Sequence, residues 1–227
     1  MFRMANRAYA GVWTKGFSEA TMLEQFEAFL DIVPYSKDRP GLTSLVVRAI
    51  DPGESPLVDG DARLQPVAPA VLIETVREYL NSDTTYEASA YWDVWVYDVE
   101  AGRWEQRPQP LLLTCFGESY DQGACETLGH FHVDLGFEHL FTGHAGLLGF
   151  NGHKAVAPQH PAEAVFLAAM SNPGNLREYS EKTRENIRKL FDWMQQISAV
   201  LPVDKSLLWS EGEQNFEARL DEIVAAR

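Results

Sequence analysis

The sequence predicts an α+β protein in which helices cover an antiparallel or mixed β-sheet. Three features indicate this fold class. Strand and helix patterns alternate in the first third, a run of strands fills the middle as a central meander, and helical periodicity dominates the C-terminal third. The chain has 227 residues without a repeat or a break in composition. We therefore expect a single domain over residues 1–227.

The first third combines strands and helices. Residues 8–13 have the composition of a strand. The next helix is expected to start at Thr21, because Thr21 and Glu24 have the spacing of a capping box. The β-branched residues at 42–50 predict a second strand. The segment that follows, up to residue 64, is expected to be a polar loop, and residues 69–80 a second helix.

The middle third predicts strands that pair with their neighbours in the chain. Residues 86–96 alternate between two sets of side chains, which is typical of a strand with one buried face. The next strand ends at residues 111–116, and Pro108 and Pro110 confine its start to a sheet edge or a bulge. Four aromatic residues of this hairpin point outward, and we expect the later helices to cover them; they are Tyr91, Trp95, Tyr97 and Trp104.

The last third is expected to be helical. An apolar segment at 161–170 predicts a short helix that ends before the Asn172-Pro173-Gly174 break. Apolar residues close to heptad spacing predict a longer helix after that break. A final amphipathic helix is expected at residues 213–225.

The chain is strongly acidic, with a formal net charge of −14. Residues 78–138 carry twelve Asp or Glu but only Arg103 and Arg107 as cations. Phosphate backbones and anionic membranes repel such a polyanion, so we expect neither nucleic-acid nor membrane binding. The same charge favours a basic protein as partner. Because no secretory signal is recognisable and the chain has only two cysteines, we expect a cytoplasmic location.

All histidines lie between His130 and His160. On the expected strand, His130, His132, Asp134 and Glu138 would share one face. Two imidazoles at positions i and i+2 beside a carboxylate suit zinc, or iron where coordination positions stay open. The predicted metal ligands are His130, His132 and Asp134, with Asp134 or Glu138 as candidate catalytic base. The alternative is the solvated face of a sheet, where the same residue types are common.

A glycine recurs at every third position after the histidine strand, at Gly143, Gly146, Gly149 and Gly152, with His144 and His153 between them. This spacing matches neither the dinucleotide-binding nor the Walker pattern. A loop that needs positive φ or close backbone approach explains it. A mobile flap over the histidine face is the alternative interpretation.

Two function hypotheses remain. The first is a non-enzymatic, acidic, cytosolic interaction module, similar in role to an inhibitor or an immunity protein, that binds a basic partner and needs no cofactor. The second is a metal-dependent hydrolase that uses zinc or iron on the face of His130 and His132. The first requires less of the sequence, because no complete catalytic motif is present. Substrate, partner identity and oligomeric state do not follow from the sequence.

Overall fold

The computed structural model describes residues 6–143 and 161–225. Its strands form one sheet in which every neighbouring pair is antiparallel. The strands are β1 (Arg7–Thr14), β2 (Leu42–Ala49), β3 (Val58–Asp61), β4 (Thr84–Asp98), β5 (Arg103–Phe116), β6 (Phe131–Phe137) and β7 (Val203–Ser210). Their order across the sheet is β3-β2-β4-β5-β6-β1-β7. The predicted meander is confirmed, since β4, β5 and β6 are successive neighbours.

Helices complete the α+β fold predicted from the sequence. They are α1 (Met22–Asp31), α2 (Pro69–Val76), α3 (Ala124–Leu128), α4 (His139–Thr142), α5 (Pro161–Met170), α6 (Pro173–Val200) and α7 (Phe216–Ala225). Short 3-10 turns lie at Arg77–Tyr79 and Tyr120–Gln122. No described helix is both long and apolar enough to cross a membrane.

One face of the sheet forms the main core with α1, α2, α6 and α7. The Phe131 ring of β6 stacks on Phe29 of α1 at 5.1 Å between ring centroids. The Trp193 ring of α6 lies 5.9 Å from Trp92 of β4. All four side chains are buried, and each contributes roughly 1.5–3 kcal/mol by leaving water. The alternation of buried residues along β4 therefore decides which face the helices cover.

The opposite face of the sheet carries the alternate residues, and we call it the open face. Paired residues lie side by side there, so the register gives its composition. One row runs across Val46, Glu87, Thr114, His132 and Gly11. Its mixture of a hydroxyl, a carboxylate and an imidazole explains why the sequence of these strands alternates instead of being uniformly apolar.

The prolines of β5 lie where the sequence places them. The whole of β5 pairs with β4, whereas β6 pairs only with residues 112–115 of β5. Pro108 and Pro110 precede that segment, so they lie on a stretch of strand with one paired side. The prediction of an edge position is confirmed, and its reason is that proline has no N–H to donate to a second neighbour.

Thr21 lies at the N-cap position of α1, as predicted, but its side chain makes no capping hydrogen bond, because its hydroxyl donates to the carbonyl of Gly16 and accepts from the N–H of Ser18. Two other local predictions are wrong. The expected polar loop before residue 64 contains the short strand β3, which is polar because it lies at the sheet edge. The C-terminal third is not wholly helical, since β7 lies between α6 and α7 and forms the edge of the sheet beside β1.

Candidate functional site

His130 lies just before β6 and is held by residues near the end of β1. Its Nδ1 atom accepts a hydrogen bond from the backbone N–H of Thr14 at 3.0 Å, so the remaining ring proton of the neutral form lies on Nε2. The ring stacks on Phe17 at 4.0 Å. Burial lowers the pKa of His130 below its ordinary value. These contacts are those of a neutral, structurally engaged histidine.

His132 lies on the open face, opposite Gly11 of β1. Its ring is 5.5 Å from the ring of Tyr9 and 5.5 Å from that of Trp209. Burial lowers the pKa of His132 to about 4, and the carboxylate of Asp134 opposes that effect only in part. His132 is therefore neutral at pH 7 and packs as one member of an aromatic cluster.

The carboxylates assigned to the histidine face have other partners. Asp134 forms an ion pair with Arg7 at 2.6 Å and accepts the backbone N–H of Gly136 at 2.9 Å. Glu138 does not share the face, so that prediction is wrong. The strand ends at Phe137, after Gly136 takes a left-handed φ of 91°. Glu138 is buried beyond the strand and accepts the N–H of Gly212 at 3.0 Å.

Metal binding by His130, His132 and Asp134 remains a prediction. Among residues 6–143 and 161–225, no three His, Cys, Asp or Glu are grouped so that they could hold an ion. His139 belongs to α4 and lines a separate cavity. The remaining histidines and most of the glycine series lie outside the described residues; these are His144, His153, His160, Gly146, Gly149 and Gly152.

The separate cavity lies at the tip of the β4–β5 hairpin and has a volume of about 250 Å³. Its described wall includes Trp95, Tyr97 and Trp104 of the hairpin. Tyr97 packs against Phe166 of α5, and Lys182 of α6 lies over the Trp95 ring. The predicted cover of these three hairpin aromatics by later helices is confirmed. It is wrong for Tyr91, whose ring is covered by the guanidinium of Arg39.

A second candidate surface lies at the end of the sheet where β2, β5 and β1 finish. Three loops and the turn before α1 meet there, and each contributes acidic side chains. We call this surface the acidic end and define it by Glu19, Asp51, Glu54, Asp83, Glu118, Asp121 and Glu126. None of these carboxylates forms an ion pair with a described Lys, Arg or His.

Backbone hydrogen bonds tie the loops of the acidic end to one another. Ile50 donates its N–H to the carbonyl of Asp83 at 2.8 Å, and Asp121 donates its N–H to the carbonyl of Ile50 at 2.7 Å. Ser82 donates its N–H to the carboxylate of Glu19 at 2.9 Å. The backbone that carries the acidic side chains is therefore already ordered. Binding of a partner then costs less conformational entropy.

Two large apolar side chains are exposed on the loop between β2 and β3. Ile50 is 58% exposed and Leu57 is 50% exposed. Ile50 also has a φ of 72°, a conformation that β-branched residues rarely adopt. An apolar side chain held outward among unpaired carboxylates has the composition of a protein-binding surface.

Comparison with protein-family models, with curated proteins and with solved structures found no match to this chain. The sequence indicated the acidic character of the acidic end through the charge of residues 78–138. It did not indicate Ile50, because a left-handed φ at a β-branched residue depends on tertiary hydrogen bonds. The one local sign was the Asp51-Pro52-Gly53 turn that follows it.

Proposed function

We propose that this protein is a non-enzymatic interaction module whose acidic end binds a basic protein, similar in role to an inhibitor or an immunity protein. One observation carries the proposal: the carboxylates of three linked loops have no described cationic partner, and the loop of Ile50, whose side chain is exposed, is hydrogen-bonded to the loops of Asp83 and Asp121. Charges that are paired within a protein contribute little to attraction at a distance, whereas unpaired charges contribute fully.

The two components of the surface have different roles in binding. The carboxylates raise the rate of encounter with a basic partner and make that rate sensitive to salt. The Ile50 side chain supplies apolar area at the centre of the contact, where a few residues usually carry most of the binding free energy. Burial of Ile50, which is 58% exposed in the free protein, adds roughly 1–2 kcal/mol.

The histidine face gives less support to a function of its own. His130 is bonded to Thr14, His132 is packed between aromatic rings, and Asp134 is paired with Arg7. A ligand would have to displace these contacts before it could bind. At the acidic end, in contrast, no ion pair with a described cation has to be broken before a partner can bind.

The experiment is affinity capture of partners from a cell lysate at low salt. Wild-type protein is compared with a Glu118→Lys/Glu126→Lys variant of the acidic end. The matched control is Glu178→Lys/Glu181→Lys on the exposed side of α6, which makes the same change in net charge. Each captured protein is then titrated against all three forms in purified state, over a range of salt concentrations.

The proposal predicts a basic protein that binds wild type and control alike, loses at least about tenfold in affinity with the acidic-end variant, and dissociates at high salt. Equal binding to all three forms contradicts the proposal. Capture of neutral or acidic proteins alone, or of none, also contradicts it.

A further inference from the structure

The last strand of the sheet has an unpaired outer side. β7 pairs with β1, and no described strand pairs with its other edge. Glu211 donates its N–H to the carbonyl of Arg7. This bond shows which residues of β7 form backbone hydrogen bonds with β1. In an antiparallel pair, the backbone N–H and C=O groups of every second residue bond to the neighbouring strand. Those of the residues between them point away from that strand. Trp209, Leu207 and Lys205 therefore bond to β1. The N–H and C=O groups of Ser206, Leu208 and Ser210 point outward.

A groove of about 240 Å³ runs beside this edge on the helix-covered side of the sheet. Phe191 and Met194 of α6, together with Leu208 of β7, form its apolar part. Glu217 and Asp221 of α7 form an acidic rim, and neither has an ion-pair partner among the described residues. Lys205 points to the open face, where it lies over Trp13, so its charge is kept away from the groove.

We propose that the β7 edge binds an extended, basic segment of a partner protein by strand addition. The segment supplies backbone hydrogen bonds to Ser206, Leu208 and Ser210. Its alternate side chains enter the groove, where long Lys or Arg stems cover the apolar floor and their charged ends meet Glu217 and Asp221. This surface is separate from the acidic end in residues and position, so the inference does not depend on the function proposed above.

A second copy of this chain is a poorer occupant than a basic segment. Pairing of two β7 edges about a twofold axis would bring Glu217 and Asp221 of both copies to the same contact. Like charges brought together in this way oppose association. The edge of β7 is also suited to a peptide, since the strand has no proline and residues 205–210 pair with β1 without a register shift.

The test uses a labelled peptide of eight alternating Lys and Val residues, the length of β7. Two further peptides are N-methylated, one at every Lys and the other at every Val. In an extended peptide, the residues whose N–H groups face β7 all have their side chains on one side, so they are either all Lys or all Val. Only one of the two N-methylated peptides therefore loses the N–H groups that would donate to the edge. A fourth peptide, with Glu in place of Lys, tests the charge.

Fluorescence anisotropy at low salt gives the affinities. The inference predicts that one N-methylated peptide binds at least about tenfold more weakly, because roughly fivefold is lost with each hydrogen bond. The other N-methylated peptide keeps its affinity, and the Glu peptide does not bind. The Glu217→Lys/Asp221→Lys variant loses binding of the Lys peptide, whereas Glu118→Lys/Glu126→Lys and Glu178→Lys/Glu181→Lys keep it.

Amide exchange measured by NMR supplies an independent readout that needs no folded variant. In the free protein, the amides of Ser206 and Leu208 should exchange faster than those of Lys205 and Leu207, which bond to β1. Bound peptide should slow exchange at Ser206 and Leu208. Equal affinity of the two N-methylated peptides, unchanged exchange at these amides, or a dimer of the free protein that buries β7 would overturn the inference.

Discussion

Asp121 donates its backbone N–H to the carbonyl oxygen of Ile50 at 2.7 Å, and both residues have left-handed φ angles, 46° and 72°. The bond joins the loop after β2 to the loop after β5. A left-handed conformation costs roughly 1–2 kcal/mol at a residue with a Cβ atom. The surrounding hydrogen bonds hold Ile50 in this conformation, with its side chain outward among the carboxylates of the acidic end.

The first prediction concerns the conformation of Ile50. Ile50→Gly should leave the free energy of unfolding unchanged or raise it by up to about 1 kcal/mol, because glycine adopts positive φ without steric cost. The same variant should weaken binding of the basic partner, since the apolar side chain is gone. Urea denaturation and a binding titration measure the two effects.

Leu57→Gly is the matched control, because Leu57 is similarly exposed but has no positive φ. It should destabilise the fold by about 0.5–1 kcal/mol, as glycine does at ordinary backbone angles. Destabilisation of Ile50→Gly by as much as Leu57→Gly would contradict the role of backbone conformation at Ile50.

The second prediction concerns the contact between the loops at Gly117. A Cβ atom at this position would lie 2.3 Å from the carbonyl oxygen of Ser82 and 2.7 Å from that of Thr84. Gly117→Ala should therefore lower the free energy of unfolding by at least about 3 kcal/mol. Gly60→Ala is the control, because its Cβ would have nothing closer than 3.7 Å. A loss for Gly117→Ala as small as that for Gly60→Ala would show that the loops are not in close contact.

The third prediction concerns pH and His132, whose pKa is lowered from 6.5 to about 4 by burial. As the pH falls through this window, the unfolded state binds a proton first, so the stability that the neutral ring contributes is lost. His132→Phe keeps a ring between Tyr9 and Trp209 and removes the proton site. From about pH 7 to about pH 4.5, wild type should lose roughly 2 kcal/mol more stability than the variant.

The comparison between the two proteins isolates this residue. Burial also lowers the pKa of His139 and raises that of Glu87 and Glu138, but these groups are the same in wild type and variant. Urea denaturation at both pH values gives the difference directly. Parallel loss of stability in wild type and His132→Phe would show that His132 is not buried in its neutral form.

The fourth prediction concerns metal. Protein purified without a His-tag should contain little zinc or iron, and its Tm should not respond to added zinc or to EDTA. The reason is that Nδ1 of His130 already accepts the Thr14 N–H, while Asp134 is paired with Arg7. Near-stoichiometric metal that is lost in a His130→Ala/His132→Ala variant would instead support the metal-dependent hydrolase.

Much of the fold could be predicted where one pattern dominates a segment. The alternation of β4, the helical spacing of α1 and the break before Pro173 depend on local residue order, and the structure confirms them. β7 escaped prediction because both of its faces are partly apolar: Leu208 faces the helices while Leu207 and Trp209 face the other way. A strand of that kind has no clear period.

The candidate site was harder to predict because it depends on contacts between distant segments. Spacing alone brings His130 and His132 to one strand, but it does not show that Thr14 and Tyr9 engage them. It also places Glu138 beside them, whereas Gly136 turns the chain away. The charge of the acidic end could be predicted from composition. The exposed apolar side chain of Ile50 could not, since its conformation depends on backbone hydrogen bonds to Asp83 and Asp121.

The most direct test of the proposed function is amide hydrogen exchange of the protein with and without the basic partner recovered by capture. The account predicts slower exchange in the loops of the acidic end, at residues 50–57, 81–83 and 118–126, and little change at β6 and its histidines. Protection of the histidine face, with unchanged exchange in those loops, would contradict the proposal that the acidic end is the binding surface.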